Sequence, residues 1–337
     1  MSIGSSTRRE FLATSSAAAA AMLSASIAGD AQAPAAGRSW PIGCHTRPFT
    51  SFRASQPNPD YVLDAVKAAG FGFADMIPGA GGGGRDAAPG APAAGRRGAP
   101  ATADAIAELK QKLAARGLKS NIAPIPTAAR GVPLADAIAH VRALIGNAHT
   151  LGQKYALNLG IEDYDRWVDW CKVLSDAAAF GQERGVKVVV KHHHGLQNTS
   201  MDLIAWTKQV NHPNFGVFFD PGNVVYYTGK DPVKDLELVG PYVSGVIAKD
   251  CSAPHFMERA AGDPPFGEKV AGAGNPEVMI QFGTGKVDFA AFFKRLNAFG
   301  FNGPVMVEGT KVGATLEETI ANARANREFL ERIFAAA

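Results

Sequence analysis

The chain has 337 residues, 34 Lys+Arg against 31 Asp+Glu, a net charge of +3 and 46% hydrophobic residues. That balance buries a large core and excludes wholesale disorder, and a charge so near zero, with no long Lys/Arg run, gives no footing for a nucleic-acid partner. Three cysteines, none in a Cys-x-x-Cys pair, cannot form a disulfide framework.

The N-terminus reads as an address. Arg8-Arg9 stand before Phe11-Leu12, a small apolar stretch runs from Ala13 to Ala28, and Ala31-Gln32-Ala33 has the small-x-small form of a cleavage site. Paired arginines mark the twin-arginine (Tat) type, which exports folded proteins. The stretch is too short and too rich in Ala and Ser to span a bilayer. We therefore expect residues 1–33 to be a cleavable Tat signal, the mature chain to begin at Pro34 in the periplasm, and no membrane contact once the signal is gone.

From there strand and helix patterns alternate. A strand at 41–45 is followed by a helix near 59–69 and a strand at 70–77. Helix 101–116 leads to strand 118–123, helix 134–151 to 155–160, and helix 164–184 to 186–190. Helix 199–210 precedes strand 215–220, helix 231–240 precedes 243–248, and helix 287–299 precedes 305–308. A last helix covers about 314–334. Glycines such as Gly117, Gly152, Gly185 and Gly300 stop the preceding helices. Eight strand–helix units predict an α/β fold of one domain over 34–337, a (β/α)8 TIM barrel, with a doubly wound open sheet as the alternative. Two stretches break the alternation. Residues 79–100 are half Gly and Pro with seven alanines, and read as a flexible loop. The formal Gly-x-Gly-x-x-Gly there starts no helix and is no dinucleotide site. Residues 251–285 read as a long loop at the rim where barrel active sites lie.

Barrel chemistry sits at the C-terminal ends of the strands. Polar residues expected there are His45, Thr46, Arg47, Asp75, Asn158, Glu162, His192, His193, His194, Asp220, Asn223, Lys249, Asp250 and Glu308. Imidazole and carboxylates from neighbouring strand ends suit Mn²⁺, Zn²⁺, Co²⁺ or Mg²⁺. The metal reading takes Asp220 and Glu308, with His192 as third ligand. Salt bridging at the barrel mouth is the other reading for the two acids, and a core histidine for His192. Strand alternation sets His192 and His194 on one face and His193 on the other, behind the strand. Glu308, His194 and Lys249 are the catalytic candidates, with an ordinary ion pair to Asp250 as the plainer reading of Lys249. His45, Arg47, Asn223 and, from the long loop, His255 are expected to touch substrate.

Phe219-Asp220-Pro221-Gly222-Asn223, Ala248-Lys249-Asp250, Phe282-Gly283-Thr284-Gly285-Lys286-Val287-Asp288-Phe289 and Gly300-Phe301-Asn302-Gly303-Pro304-Val305-Met306-Val307-Glu308, in this order, resemble the xylose isomerase-like TIM barrels, the sugar phosphate isomerase/epimerase superfamily. The likeness spans about 41–334. It implies one divalent metal, Mn²⁺ first and Mg²⁺, Co²⁺ or Zn²⁺ as alternatives, bound through Glu, Asp, His and Glu on strands five to eight. Asp220 and Glu308 match directly. Strand five instead has Lys191-His192-His193-His194-Gly195, with His192 set at the Glu position, and strand seven has Ile247 where His is usual. His194, His255 or water would then have to complete the metal shell. The His stretch is similar to that of inosose dehydratases.

The expected function is an exported, metal-dependent sugar isomerase/epimerase acting on a small sugar or keto-sugar by proton abstraction next to a carbonyl. A lyase or hydratase acting on a keto-sugar or 3-keto-glycoside is the alternative, and a non-catalytic sugar-binding barrel a third. An endonuclease of this fold lacks its extra ligands and basic face. The expected partner is a small carbohydrate, with a homo-oligomer left open.

Overall fold

The computed structural model describes residues 39–75, 100–255 and 278–337. The expected signal (1–33) and nearly all of the expected loop (79–100) lie outside the described residues.

The strands are β1 (Ile42–His45), β2 (Phe73–Asp75), β3 (Ile122–Ile125), β4 (Tyr155–Asn158), β5 (Lys187–Lys191), β6 (Phe215–Phe219), β7 (Val243–Ala248) and β8 (Val305–Val307). The helices are α1 (Tyr61–Ala68), α2 (Ala103–Ala115), α3 (Leu134–Leu151), α4 (Tyr164–Gln182), α5 (Ser200–Val210), α6 (Pro221–Thr228), α7 (Pro232–Val239), α8 (Phe289–Ala298) and α9 (Leu316–Ala336). All strand pairs are parallel, in the order β2-β1-β8-β7-β6-β5-β4-β3. The ends β2 and β3 approach through a Phe73–Lys119 bridge. There the Asp75 carboxylate replaces ladder bonds: Oδ1 accepts from Ser120 Oγ (2.9 Å), Asn121 N–H (2.6 Å) and Ile122 N–H (2.9 Å). The nearly closed barrel of the expected fold results, as one domain.

Alternation along the strands sorts the core into two layers. Ile122, Leu157, Val189, Phe218, Ile247 and Met306, one from each of six strands, form a separate apolar cluster joined by Phe73 and Tyr155. This is the barrel interior. Their strand neighbours, such as Val188, Val190, Val217, Phe219, Val246, Ala248, Val305 and Val307, join the larger cluster beneath the helices.

One helix goes beyond the expected alternation. α6 begins directly after β6 because Asp220 caps it: Oδ1 accepts the Asn223 N–H at 2.9 Å, with Pro221 at the first helical position. Asp-Pro-x-Asn is a helix-start signal that the periodicity reading passed over. Among the described residues no helix is long and apolar enough to cross a membrane.

Candidate active site

The interior layer fixes what faces the barrel mouth. Two positions beyond Val189, Phe218, Ile247 and Met306 come Lys191, Asp220, Lys249 and Glu308. The four meet. Lys191 Nζ lies 3.0 Å from Asp220 Oδ2 and 2.7 Å from Glu308 Oε2. Lys249 Nζ lies 2.9 Å from Glu308 Oε1 and 3.5 Å from Asp220 Oδ2. Each oxygen of Glu308 is therefore held by a different ammonium. Asn223 fixes Lys249 by accepting its N–H at 3.0 Å, while its own amide donates to the His192 carbonyl at 2.7 Å. Gly222 permits the close approach of α6 to this strand end, since a Cβ there would lie 2.7 Å from the Lys249 carbonyl oxygen.

The lysine and carboxylate side chains are buried, with Lys191 3% and Asp220 0% exposed. Burial alone would push the Lys191 ammonium down, but Glu308 and Asp220 outweigh it and hold it above its ordinary value. Burial would raise Glu308; Lys191, then Lys249 and His45, outweigh that and pull it well below the usual carboxylate range. Both groups are charged at neutral pH. His45, at the end of β1, is buried, and burial lowers it to about 4 against the opposing pull of Glu308, so its imidazole is neutral. Its Nε2 has no hydrogen-bond partner among the described residues. Arg47 stands further out, 58% exposed, with Nη1 3.8 Å from Glu308.

The triple-His stretch falls one position out of the expected phase. Val189 points inward, so Lys191 does too, and His192 turns outward. Its position follows from three hydrogen bonds. The Asp220 N–H donates to Nδ1 (3.4 Å), Nε2 donates to Ser200 Oγ (3.1 Å), and that hydroxyl donates to Asp235 Oδ2 (2.5 Å). Burial lowers His192 to about 4, which keeps it neutral in this chain of bonds. His192 is thus a core histidine behind Asp220 rather than a third ligand beside Asp220 and Glu308. His193, expected behind the strand, instead follows Lys191 in phase: its ring lies 5.9 Å from Tyr227, and burial, then the charges of Lys191 and Lys249, lower it to about 3. His194 sits at the rim on Glu162, at 3.0 Å. His255 stacks on Tyr226 at 4.9 Å. Among the described residues neither forms an ion pair with Asp220 or Glu308. Asn223, expected to touch substrate, ties Lys249 to the end of β5 through its two amide atoms.

Asp250 is not the partner of Lys249. Its oxygens accept the backbone N–H groups of Cys251 (2.8 Å), Gly283 (3.0 Å), Gly285 (2.9 Å) and Val287 (3.2 Å). The Gly-Thr-Gly-Lys motif is therefore a clasp on the loop after β7, and a Cβ at Gly285 would lie 2.2 Å from Asp250 Oδ1.

The divalent metal that the resemblance implies does not fit this donor set. Two ammonium groups already engage both carboxylates, and Ile247 belongs to the apolar interior. Among the described residues no group of three or more His, Cys, Asp and Glu is placed to hold a metal ion. A divalent ion sharing these carboxylates with an ammonium about 4 Å away would be repelled by about 8 kcal/mol at an effective dielectric of about 20.

Comparison with known proteins agrees with the fold. A sequence profile of the xylose isomerase-like TIM barrel family matches residues 63–333, and the chain belongs to that family. A ketose 3-epimerase of Arthrobacter globiformis is 26% identical over 137 residues, 41% of this chain and 38% of that enzyme, so the match spans well under half of the relative. A xylose isomerase-like TIM barrel protein of Mycobacterium smegmatis, solved in complex with magnesium, superposes with a TM-score of 0.64 at 18% identity, covering 90% of this chain and 100% of that one. A D-allulose 3-epimerase of Methylomonas sp. superposes with a TM-score of 0.60 at 14% identity over 89% and 100% of the two chains.

Proposed function

We propose that the protein is a carbohydrate enzyme, a sugar isomerase or epimerase that abstracts a proton next to the carbonyl of a small sugar or keto-sugar. The observation that carries this reading is the convergence of Lys191, Asp220, Lys249 and Glu308 from four successive strands at the barrel mouth. Glu308 is the proton acceptor, ionised at neutral pH. Lys249 and Lys191 supply N–H donors where an oxyanion develops, in a site whose burial strengthens them. His45 offers a neutral imidazole to a substrate hydroxyl, and Arg47 lies at the entrance. Asp220 and Asn223 hold the lysines in place. The kinship with a ketose 3-epimerase supports the substrate class. Metal dependence, the finer expectation, gains no support from the donor set.

The experiment is NMR of a plain ketose and a 3-keto-glycoside in D₂O with the full chain. Deuterium at the carbon next to the carbonyl, without loss of oxygen, supports isomerase or epimerase chemistry. An enone or a released aglycone supports the lyase. That second reading has its own observation: the rings of His193 and His194 lie 5.9 and 6.3 Å from that of Tyr227, whose hydroxyl burial keeps protonated and able to donate to a departing oxygen.

We further propose export by the Tat pathway, with cleavage after Ala33, on the strength of Arg8-Arg9 and Ala31-Gln32-Ala33. Mass spectrometry of the periplasmic protein should find Pro34 at its N-terminus. Full-length protein in the cytoplasm, unaffected by changing Arg8 and Arg9 to Lys, would refute it.

A further inference from the structure

We propose that the ammonium groups of Lys191 and Lys249 together take the place of a divalent cation, balancing Asp220 and Glu308 and receiving the substrate's carbonyl oxygen, so that enediolate formation here needs no metal. The proposal rests on the reading of the site as one for proton abstraction beside a carbonyl.

Charge balance is the first argument. Two ammonium and two carboxylate groups sum to zero, and all four are buried. A lysine is rarely buried unless paired, and a buried ionic cluster is seldom the most stable filling of such a space, which makes a functional reason for keeping it more credible. Second, the three imidazoles that the resemblance would recruit are engaged elsewhere: His192 bonds Ser200 and the Asp220 backbone, His194 bonds Glu162, and His255 stacks on Tyr226. Third, the arrangement is poised to respond to substrate. Lys191 gives two of its three N–H groups to Asp220 and Glu308. The third is the donor for an incoming oxygen. Lys249, held by Asn223, gives a second N–H as bonds are exchanged.

The step balances without a co-reactant. Glu308 takes the proton from the carbon beside the carbonyl. The C–H electron pair becomes the new C=C bond, and the carbonyl π pair moves onto oxygen, where the ammonium N–H groups hold it. As charge builds there, the lysines shift their donation away from Glu308, and its basicity rises as it accepts the proton. Delivery of a proton to the opposite face of the same carbon by a water molecule, with Glu308 giving its own proton back to the hydroxide so formed, epimerises the sugar. Return to the neighbouring carbon, with a proton passed between the two oxygens, isomerises it.

The test begins with metal and needs no substrate. The full chain, produced in Mn²⁺-supplemented medium and dialysed, should retain no stoichiometric metal by mass spectrometry, and added Mn²⁺ should not raise its melting temperature. The variant Lys191→Glu turns the cluster into three acids and one lysine, and should gain a Mn²⁺-dependent rise in melting temperature. Mn²⁺ retained at one per wild-type chain would overturn the proposal, even if Lys191→Glu fails to fold. With any keto-sugar that exchanges in D₂O, the rate should be unchanged by EDTA and fall about 100-fold in Lys191→Met, as for loss of one oxyanion donor. Exchange abolished by EDTA and restored by Mn²⁺ would overturn it too. A protein that exchanges no sugar but binds no Mn²⁺ would count against the isomerase reading while the metal-free site stands.

Discussion

Lys191 at the end of β5 and Glu308 after β8 are 117 positions apart, and their charged atoms meet at 2.7 Å inside the barrel mouth. Removing one member of a buried ion pair leaves the other uncompensated. Lys191→Met should cost about 3 kcal/mol in urea unfolding, since Lys249 still balances part of the charge. The double variant Lys191→Met with Glu308→Gln should cost less than the sum of the two single changes, because it leaves no orphaned charge on either side. Strict additivity would mean that the two side chains are not coupled.

Acid should destabilise the fold above the pH range in which ordinary exposed carboxylates titrate. His45 and His192 are lowered to about 4, and His193 to about 3, each chiefly by burial, from the ordinary 6.5. Between those values and 6.5 the unfolded chain binds protons that the native chain refuses, so stability falls as pH drops through that window. Asp75 opposes this. Burial raises it to about 6, so between 3.8 and 6 it holds a proton in the native state that it loses on unfolding. Three histidines against one aspartate leave a net uptake of about two protons on unfolding near pH 5. The melting temperature should therefore fall steadily from pH 7 to pH 5. A flat profile would mean that these imidazoles are not buried as described.

The phase of β5 illustrates how the sequence carried part of the site and hid the rest. Four strands end alike: Val188-Val189-Val190-Lys191, Val217-Phe218-Phe219-Asp220, Val246-Ile247-Ala248-Lys249 and Val305-Met306-Val307-Glu308. The shared pattern, valine followed three positions later by a charge, sets Lys191 level with Asp220 and Glu308. Weighting the three histidines by their chemistry drew attention past it. Alternation counted from Val189 sets Lys191 inward and His192 outward; a count that starts from the histidines has the opposite phase and gives His192 the wrong face. Asp220, Lys249, Glu308 and His45 were legible because each closes a buried strand. The roles of Asn223 and Asp250 were not, because hydrogen-bond partners 26 to 37 positions away leave no local signature.

The Asp250 clasp makes a separate prediction. Asp250→Ala leaves four backbone N–H groups without their acceptor, two of them on buried Cys251 and Val287, where an unpaired donor costs about 1–3 kcal/mol before relaxation. We expect a loss of at least about 3 kcal/mol, with the amides of Gly283, Gly285 and Val287 exchanging faster than those of β5. Gly285→Ala should act in the same direction, since its Cβ would press on Asp250 Oδ1. Unchanged exchange in both variants would remove the clasp.

The most direct measurement of the site's chemistry follows deuterium entering the carbon next to the carbonyl of a keto-sugar in D₂O, with wild type and Glu308→Gln compared side by side. The wild type should incorporate deuterium, and Glu308→Gln should do so at least about 100-fold more slowly, as for loss of a positioned proton acceptor. Exchange in Glu308→Gln as fast as in the wild type, or none in the folded wild type with either a ketose or a 3-keto-glycoside, would contradict the account.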